Sequence, residues 1–155
     1  MINSDKSIKK SSSLAFSLNV EDGWPPVAIE NIPCTKMDSG FKIDIPPLFV
    51  NGLSVGDIIS VELDSLNNVT SWEHIFQSKR TTIWILGLNI NKQKSIFNVL
   101  IELNKLNCHT VSLKEYNYFS VDVPNDCSID LIDTCLSELN QDFFSIVYPS
   151  FRHDE

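Results

Sequence analysis

The chain has 155 residues, 43% of them hydrophobic, and a net charge of −8. A chain of about 150 residues buries roughly 70% of the surface its unfolded form exposes, which suits one domain or two very small ones. No apolar run approaches the ~18 residues that span a bilayer, and residues 1–13 are polar with no secretory h-region, so a soluble, cytoplasmic protein without membrane association is expected.

Residues 1–12 are polar and without periodicity, and read as a flexible arm. Residues 13–80 read as short strands separated by turn signals. Leu14, Phe16 and Leu18 alternate with small or polar residues until Gly23 and Pro25-Pro26 break the pattern. Phe41, Ile43 and Ile45 alternate again before Pro46-Pro47, which stops a ladder because proline donates no hydrogen bond. Turns at Asn51-Gly52 and Val55-Gly56-Asp57 precede a strand from Ile58 to Leu63, and a loop at Asn67-Asn68 precedes another from Trp72 to Phe76. Strands this short and close predict a small β-barrel-like part.

Residues 81–150 change character. Thr82 to Leu88 is an apolar run of strand length, and Asn91 is placed to cap a helix in which Ile96, Val99, Leu100, Leu103 and Leu106 recur at helical spacing. Cys108 to Leu113 and Tyr118 to Val123 alternate as strands. Ser128 is placed to cap a second helix over residues 129–140, with Ile132, Cys135, Leu136 and Leu139 on one face. Phe143 to Tyr148 reads as a last strand stopped by Pro149, leaving residues 151–155 as an acidic tail. The order β-α-β-β-α-β is the split βαβ, or ferredoxin-like, pattern. The predicted fold class is therefore α+β, a small N-terminal barrel-like part followed by a ferredoxin-like part. With Phe119, Val121 and Val123 toward the helices, Tyr118, Ser120 and Asp122 are expected on the opposite face.

The charge is unevenly placed. Residues 1–114 carry eleven acidic and eleven basic side chains, whereas residues 115–155 carry nine acidic ones against Arg152 alone. A field of one sign repels nucleic acid and steers basic partners. Glu115, Asp122, Asp130, Asp133, Glu138 and Asp142 are the candidate partner-binding residues. The RNA-recognition module shares the β-α-β-β-α-β order, but its Lys/Arg-Gly-Phe/Tyr signature is missing from Tyr118 to Val123 and the sign of the charge is wrong for phosphate.

No constellation for catalysis stands out: there is no G-x-S-x-G, P-loop, G-x-G-x-x-G or H-E-x-x-H. Glu73 and His74 are neighbours, but on a strand they point to opposite faces. Cys34, Cys108, Cys127 and Cys135 form no C-x-x-C pair and read as free thiols packed as small hydrophobes. Together with His74, His109 and His153 they form no zinc pattern. No catalytic residue, cofactor or metal is expected.

Asp22-Gly23-Trp24-Pro25-Pro26-Val27-Ala28-Ile29-Glu30 resembles an uncharacterised bacterial group, the domain of unknown function 4265 family. Phe41 to Pro46, Val55 to Glu62 and Val121 to Pro124 resemble later landmarks of that family in the same order, over residues 14–149. Where the family often has Ser-Gly-His-Ser-Thr, this chain has Gln77-Ser78-Lys79-Arg80-Thr81-Thr82, so no role tied to that Gly-His pair carries over. The resemblance implies bacterial origin and architecture, not a reaction. In its small, acidic, motif-poor character the chain is also similar to bacterial immunity proteins, which cover a toxin's active site. The expected function is thus a cytosolic immunity protein whose partner is a basic toxin, in particular a nuclease. The alternative is a small-ligand or regulatory binding domain with a site between the two parts.

Overall fold

Alternate side chains turn inward along the N-terminal strands, and five of these strands close on one another. The computed structural model describes residues 10–88 and 93–153, and the chain divides between Ser78 and Lys79 into two units. The first unit holds β1 (Lys10–Ser17), β2 (Ile29–Lys36), β3 (Phe41–Ile43), β4 (Ile58–Leu63) and β5 (Asn68–Phe76). They form a closed barrel in the order β1-β2-β3-β4-β5. Every neighbouring pair is antiparallel except the closing one, where Ala15 and Phe16 pair in parallel with Asn68 and Val69. Leu14, Phe16, Ile32, Ile43, Ile59 and Val69 fill the interior.

The N-terminal strand starts earlier than the pattern of residues predicts. Residues 1–9 of the expected arm lie outside the described residues, but Lys10 already belongs to β1. Strand β2 has no counterpart in the sequence-based expectation. Its inward row is Glu30, Ile32 and Cys34, so the row begins with a carboxylate, and Pro33 sits in its middle. Pro33 is tolerated because it faces outward opposite Ser13, and its carbonyl accepts from the Asp44 N–H at 3.1 Å. After β1 the chain reverses at Asp22-Gly23, where both residues have positive φ (56° and 79°) and Glu21 and Trp24 exchange two backbone hydrogen bonds. That is the geometry Asp-Gly favours in a two-residue hairpin turn.

The second unit holds β6 (Thr81–Gly87), α1 (Gln93–Lys105), β7 (His109–Leu113), β8 (Tyr118–Val123), α2 (Ile129–Leu136) and β9 (Phe144–Ser150). The strands form an antiparallel sheet in the order β7-β8-β6-β9. Ile83, Ile85, Phe119, Val121 and Val123 from the sheet pack with Ile96, Val99 and Leu103 of α1 and with Ile132 and Leu136 of α2. Protein and expectation agree here on mixed α+β architecture with two helices. Asn91, the expected cap of α1, lies outside the described residues. At the other end of α1, Asn107 adopts a left-handed conformation (φ 69°) and the Cys108 N–H reaches back to the Leu103 carbonyl at 3.1 Å, which ends the helix.

Three local expectations fail, the last for an identifiable reason. Ser128 stands at the start of α2 with extended backbone, but its hydroxyl makes no capping bond. Helix α2 stops at Leu136, short of residue 140, although Leu139 beyond it is still buried. Pro149 does not stop β9. The pairing with β6 shifts register between Thr82 and Trp84, and this irregularity lets a residue without an N–H sit inside the strand.

Candidate partner-binding surface

The six carboxylates singled out by sequence do not gather at one place. Asp122 leaves the set altogether. It is 1% exposed, as is fitting on a strand whose six residues are all buried. Arg80 meets it through two bonds, from Nε at 2.9 Å and from an Nη at 2.6 Å. The expectation that Asp122 looks out from an open face is therefore corrected: it is one partner of a two-pronged ion pair. The carboxylate holds the Arg80 guanidinium above its usual pKa, through the hydrogen bond first, with burial opposing.

Glu115 is exposed in the single 3-10 turn (Lys114–Tyr116) that joins β7 to β8. Asp142 is exposed in the turn before β9, where its N–H donates to Asn140 Oδ1 at 2.8 Å. The remaining three share α2 and the turn after it. At 100° per residue, with Ile132 and Leu136 facing the core, Asp130 lies on the outer side, Asp133 on one flank and Glu138 toward the other. Side-chain contacts bear this out. Tyr148 of β9 donates its hydroxyl to Asp133 at 3.1 Å, and burial together with that carboxylate pushes the tyrosine up to about 12. Glu138 lies on the α1 side beside Cys135, as does Glu102 of α1.

Glu102 is the residue that the sequence reading passed over, because counting charge from residue 115 onward excludes it. Its helical position would have revealed it, one turn after Val99 and on the flank of the buried row Ile96-Val99-Leu103. A groove of about 500 Å³ runs between the helices, lined by Asn98, Val99, Ile101, Glu102, Thr134, Cys135 and Glu138. Its rim is acidic, and Phe97, Ile101 and Leu131 stand exposed on the same two helices. Lys105 is the cation at hand, bonded to Glu102 at 3.1 Å across an exposed i,i+3 pair.

The buried acids of the barrel serve the backbone instead. Glu30 is 7% exposed and accepts from the N–H groups of Leu48 (2.6 Å) and Phe49 (2.9 Å), which holds the loop after Pro46-Pro47. Asp57 is fully buried and accepts from the N–H groups of Ser54 (2.9 Å) and Ser78 (2.8 Å). It is also the partner of His74, at 2.8 Å from Nε2. Gln77 donates to Nδ1 of the same ring at 3.3 Å, which leaves Nε2–H to donate to Asp57. Glu73 takes no part, as strand alternation predicts; the link to Asp57 crosses from β5 to the start of β4, beside a register shift. Among the described residues no group of three His, Cys, Asp or Glu side chains is placed to hold a metal ion.

His153 is also bound. Of residues 151–155, expected as a tail, residues 151–153 are described, and His153 is buried with Nε2 donating to the Pro124 carbonyl at 2.8 Å. Its Nδ1 lies 2.6 Å from the Thr81 hydroxyl, which itself accepts from the Arg152 N–H at 2.8 Å. No helix among the described residues is long and apolar enough to cross a membrane.

Two units, a five-strand barrel and a helix-covered antiparallel sheet, define the class to which this chain belongs, and comparison identifies the family. The family model described as Domain of unknown function (DUF4265) matches residues 30–145, and the chain belongs to that family. The matched stretch starts at Glu30, just after the Asp-Gly-Trp-Pro-Pro turn that first carried the resemblance. A solved structure described as "Novel crystal structure of a hypothetical protein from Neisseria gonorrhoeae" is similar with a TM-score of 0.72 and 20% identity, over 94% of this chain and 98% of that one. At that identity the likeness shows a shared fold. No curated protein matches the chain.

Proposed function

We propose that this chain is a cytoplasmic binding protein that neutralises a basic protein, in the manner of an immunity protein occupying the phosphate-gripping cleft of a nuclease toxin. One observation carries the reading. Asp130, Asp133 and Glu138 are exposed along α2 and the turn after it, and no Lys or Arg occurs anywhere between residues 115 and 151. A helix that carries its acids outward with no cation of its own keeps an unneutralised field, which speeds encounter with a cationic surface. Asp142 beyond the helix extends that field, while the exposed Ile101 and Leu131 supply apolar area beside it.

The same reading takes the second unit as ferredoxin-like. The element order β6-α1-β7-β8-α2-β9 and the neighbour order β7-β8-β6-β9 support it, being those of a split βαβ unit. The outward carboxylates then belong to the helical layer.

The test is association rate against ionic strength, with the product of a toxin gene adjacent to this one. Raising salt should slow association about tenfold or more, and reversing Asp130 and Asp133 to Lys should slow it in the same way without unfolding the protein. A rate indifferent to both changes would remove α2 from the interface.

A further inference from the structure

The barrel closes along a short seam. Strand β5 pairs with β4 from Val69 to Phe76, but on its other side only Asn68 and Val69 meet β1, opposite Ala15 and Phe16. Strand β1 ends at Ser17, and beyond it the chain stays with the segment leading into β2, the Leu18 N–H going to the Ala28 carbonyl at 2.8 Å. Among the described residues no strand pairs with β5 on that side from Thr70 to Phe76. Alternate residues of a strand direct their N–H and C=O groups to opposite sides, so this outer row has no ladder partner. Thr70, Ser71, Glu73, Ile75 and Phe76 are exposed, which leaves the strand open to water.

Where β1 and β5 part there is a gap of about 220 Å³. Ser17 and Asn19 line it from the β1 side, Thr70 and Trp72 from β5, and Phe49 and Asn51 from the loop between β3 and β4. None of the residues lining it is charged.

We propose that this edge is a docking site for an extended segment of another protein, which adds to β5 as a further strand and lays one uncharged side chain in the gap. Two features set that class of occupant. A row of unpaired donors and acceptors at strand spacing is matched by another strand, whose main chain supplies the complementary groups. The gap then selects the side chain by charge. Its lining offers nothing to pair with a Lys, Arg, Asp or Glu, and burying an unpaired ion is costly. The rings of Phe49 and Trp72, with the amides and hydroxyls of Asn19, Asn51, Ser17 and Thr70, suit an aromatic side chain with a polar tip, tyrosine above all. Natural edges refuse a further strand with Lys or Pro, and residues 70–76 contain neither. The exposed Ile75 and Phe76 add apolar contact at the far end of the same edge.

The experiment pans a displayed library of random heptapeptides against the folded full chain and follows a selected peptide by amide hydrogen exchange. In the free chain the amides of residues 70–76 should divide into slow ones facing β4 and fast ones facing outward, and the peptide should slow the fast set. Selected sequences should share a large uncharged residue at one position. N-methylating the peptide at alternate residues should abolish binding in one frame and spare it in the other, because an added strand turns only alternate amides toward β5. Ser17→Trp, which fills the gap, should weaken binding about tenfold or more. Should that variant fail to fold, the methylated peptides still decide. Asp130→Lys with Asp133→Lys, which alters α2, should leave peptide binding unchanged. No selected peptide, a shared charged residue, or affinity indifferent to N-methylation would overturn the proposal. Protection of the fast amides that grows with chain concentration alone would assign the edge to a second copy and overturn it as well.

Discussion

The barrel and the sheet unit each bury acid side chains, and they neutralise them by different means. In the barrel, Glu30 and Asp57 are met by backbone N–H groups of Leu48, Phe49, Ser54 and Ser78. In the sheet unit, Asp122 is met by the side chain of Arg80. The reason lies in where amides are left over. The stretch from Ile43 to Ile58 crosses from β3 to β4 with little ladder of its own, so its N–H groups need acceptors, and buried carboxylates supply them. Asp122 lies in the middle of a sheet whose amides are already paired on both sides, so only a side chain can neutralise it. The difference teaches that burial of an acid is not itself a functional signal in this family member. The acids free to meet a partner are those the helices carry outward.

The largest effect is expected from the core. Leu136 is buried between α2 and the sheet, so Leu136→Ala should cost about 2–5 kcal/mol in chemical denaturation. Amide exchange should localise the loss to the sheet unit and leave the barrel's protection unchanged. On the same helix, Asp133→Ala removes one exposed bond from Tyr148 and should cost no more than about 0.5 kcal/mol. Equal costs at the two positions would mean that α2 does not divide into a core face and a free face.

The second effect sharpens the contrast between the two kinds of neutralisation. Asp57→Ala removes the acceptor of the two buried backbone N–H groups of Ser54 and Ser78, at about 1–3 kcal/mol each, and that of the partly exposed His74 ring. Asp122→Ala takes its carboxylate partner from Arg80, whose side chain is 30% exposed and can turn to water. It should cost less, toward the lower end of about 1–3 kcal/mol. Denaturation of the two variants side by side decides it. A costlier Asp122→Ala would show that the side-chain pair, rather than the loop amides, anchors its unit more firmly.

How far the residues announce this arrangement depends on the element. The sheet unit was legible because its apolar residues recur at clean periods, as in Ile96-Val99-Leu103 and in Phe119-Val121-Val123, and those side chains do share the core. The barrel was legible as a group of strands but not strand by strand. Strand β2 was hidden by Glu30, whose burial depends on the N–H groups of a loop 18 and 19 residues further along. The same limit applied to the candidate surface. Alternation correctly set Asp122 across the strand from Val121 and Val123, but its ion pair joins residues 42 positions apart, which no local pattern reveals. Asp130, Asp133 and Glu138 were legible because a helix repeats every 3.6 residues, and a position away from Ile132 and Leu136 can be read directly. Glu102 was missed because the charge was counted only from residue 115 onward, although its place on α1 was as legible as theirs.

The smallest effect is a change of slope, and it tests the barrel's mode of neutralisation directly. Burial raises Glu30 above its ordinary 4.5, against the lowering pull of the N–H groups of Leu48, Phe49 and Val50. The folded chain therefore holds this proton more tightly than the unfolded chain. In that case the stabilisation is fully present below the unfolded value and is lost as pH rises through the raised folded one. This is opposite in sign to the usual salt-bridged carboxylate, whose stabilisation is lost as pH falls. Glu30→Gln keeps the shape, cannot titrate, and should remove this part of the slope while leaving the rest of the pH profile in place. Denaturation midpoints of both proteins, from below 4.5 to neutral pH, give the difference curve. That curve should fall from acid toward neutral and then run flat. A difference curve rising with pH would mean that the loop amides outweigh desolvation, and the carboxylate would then act in its charged form as a staple for residues 48–50.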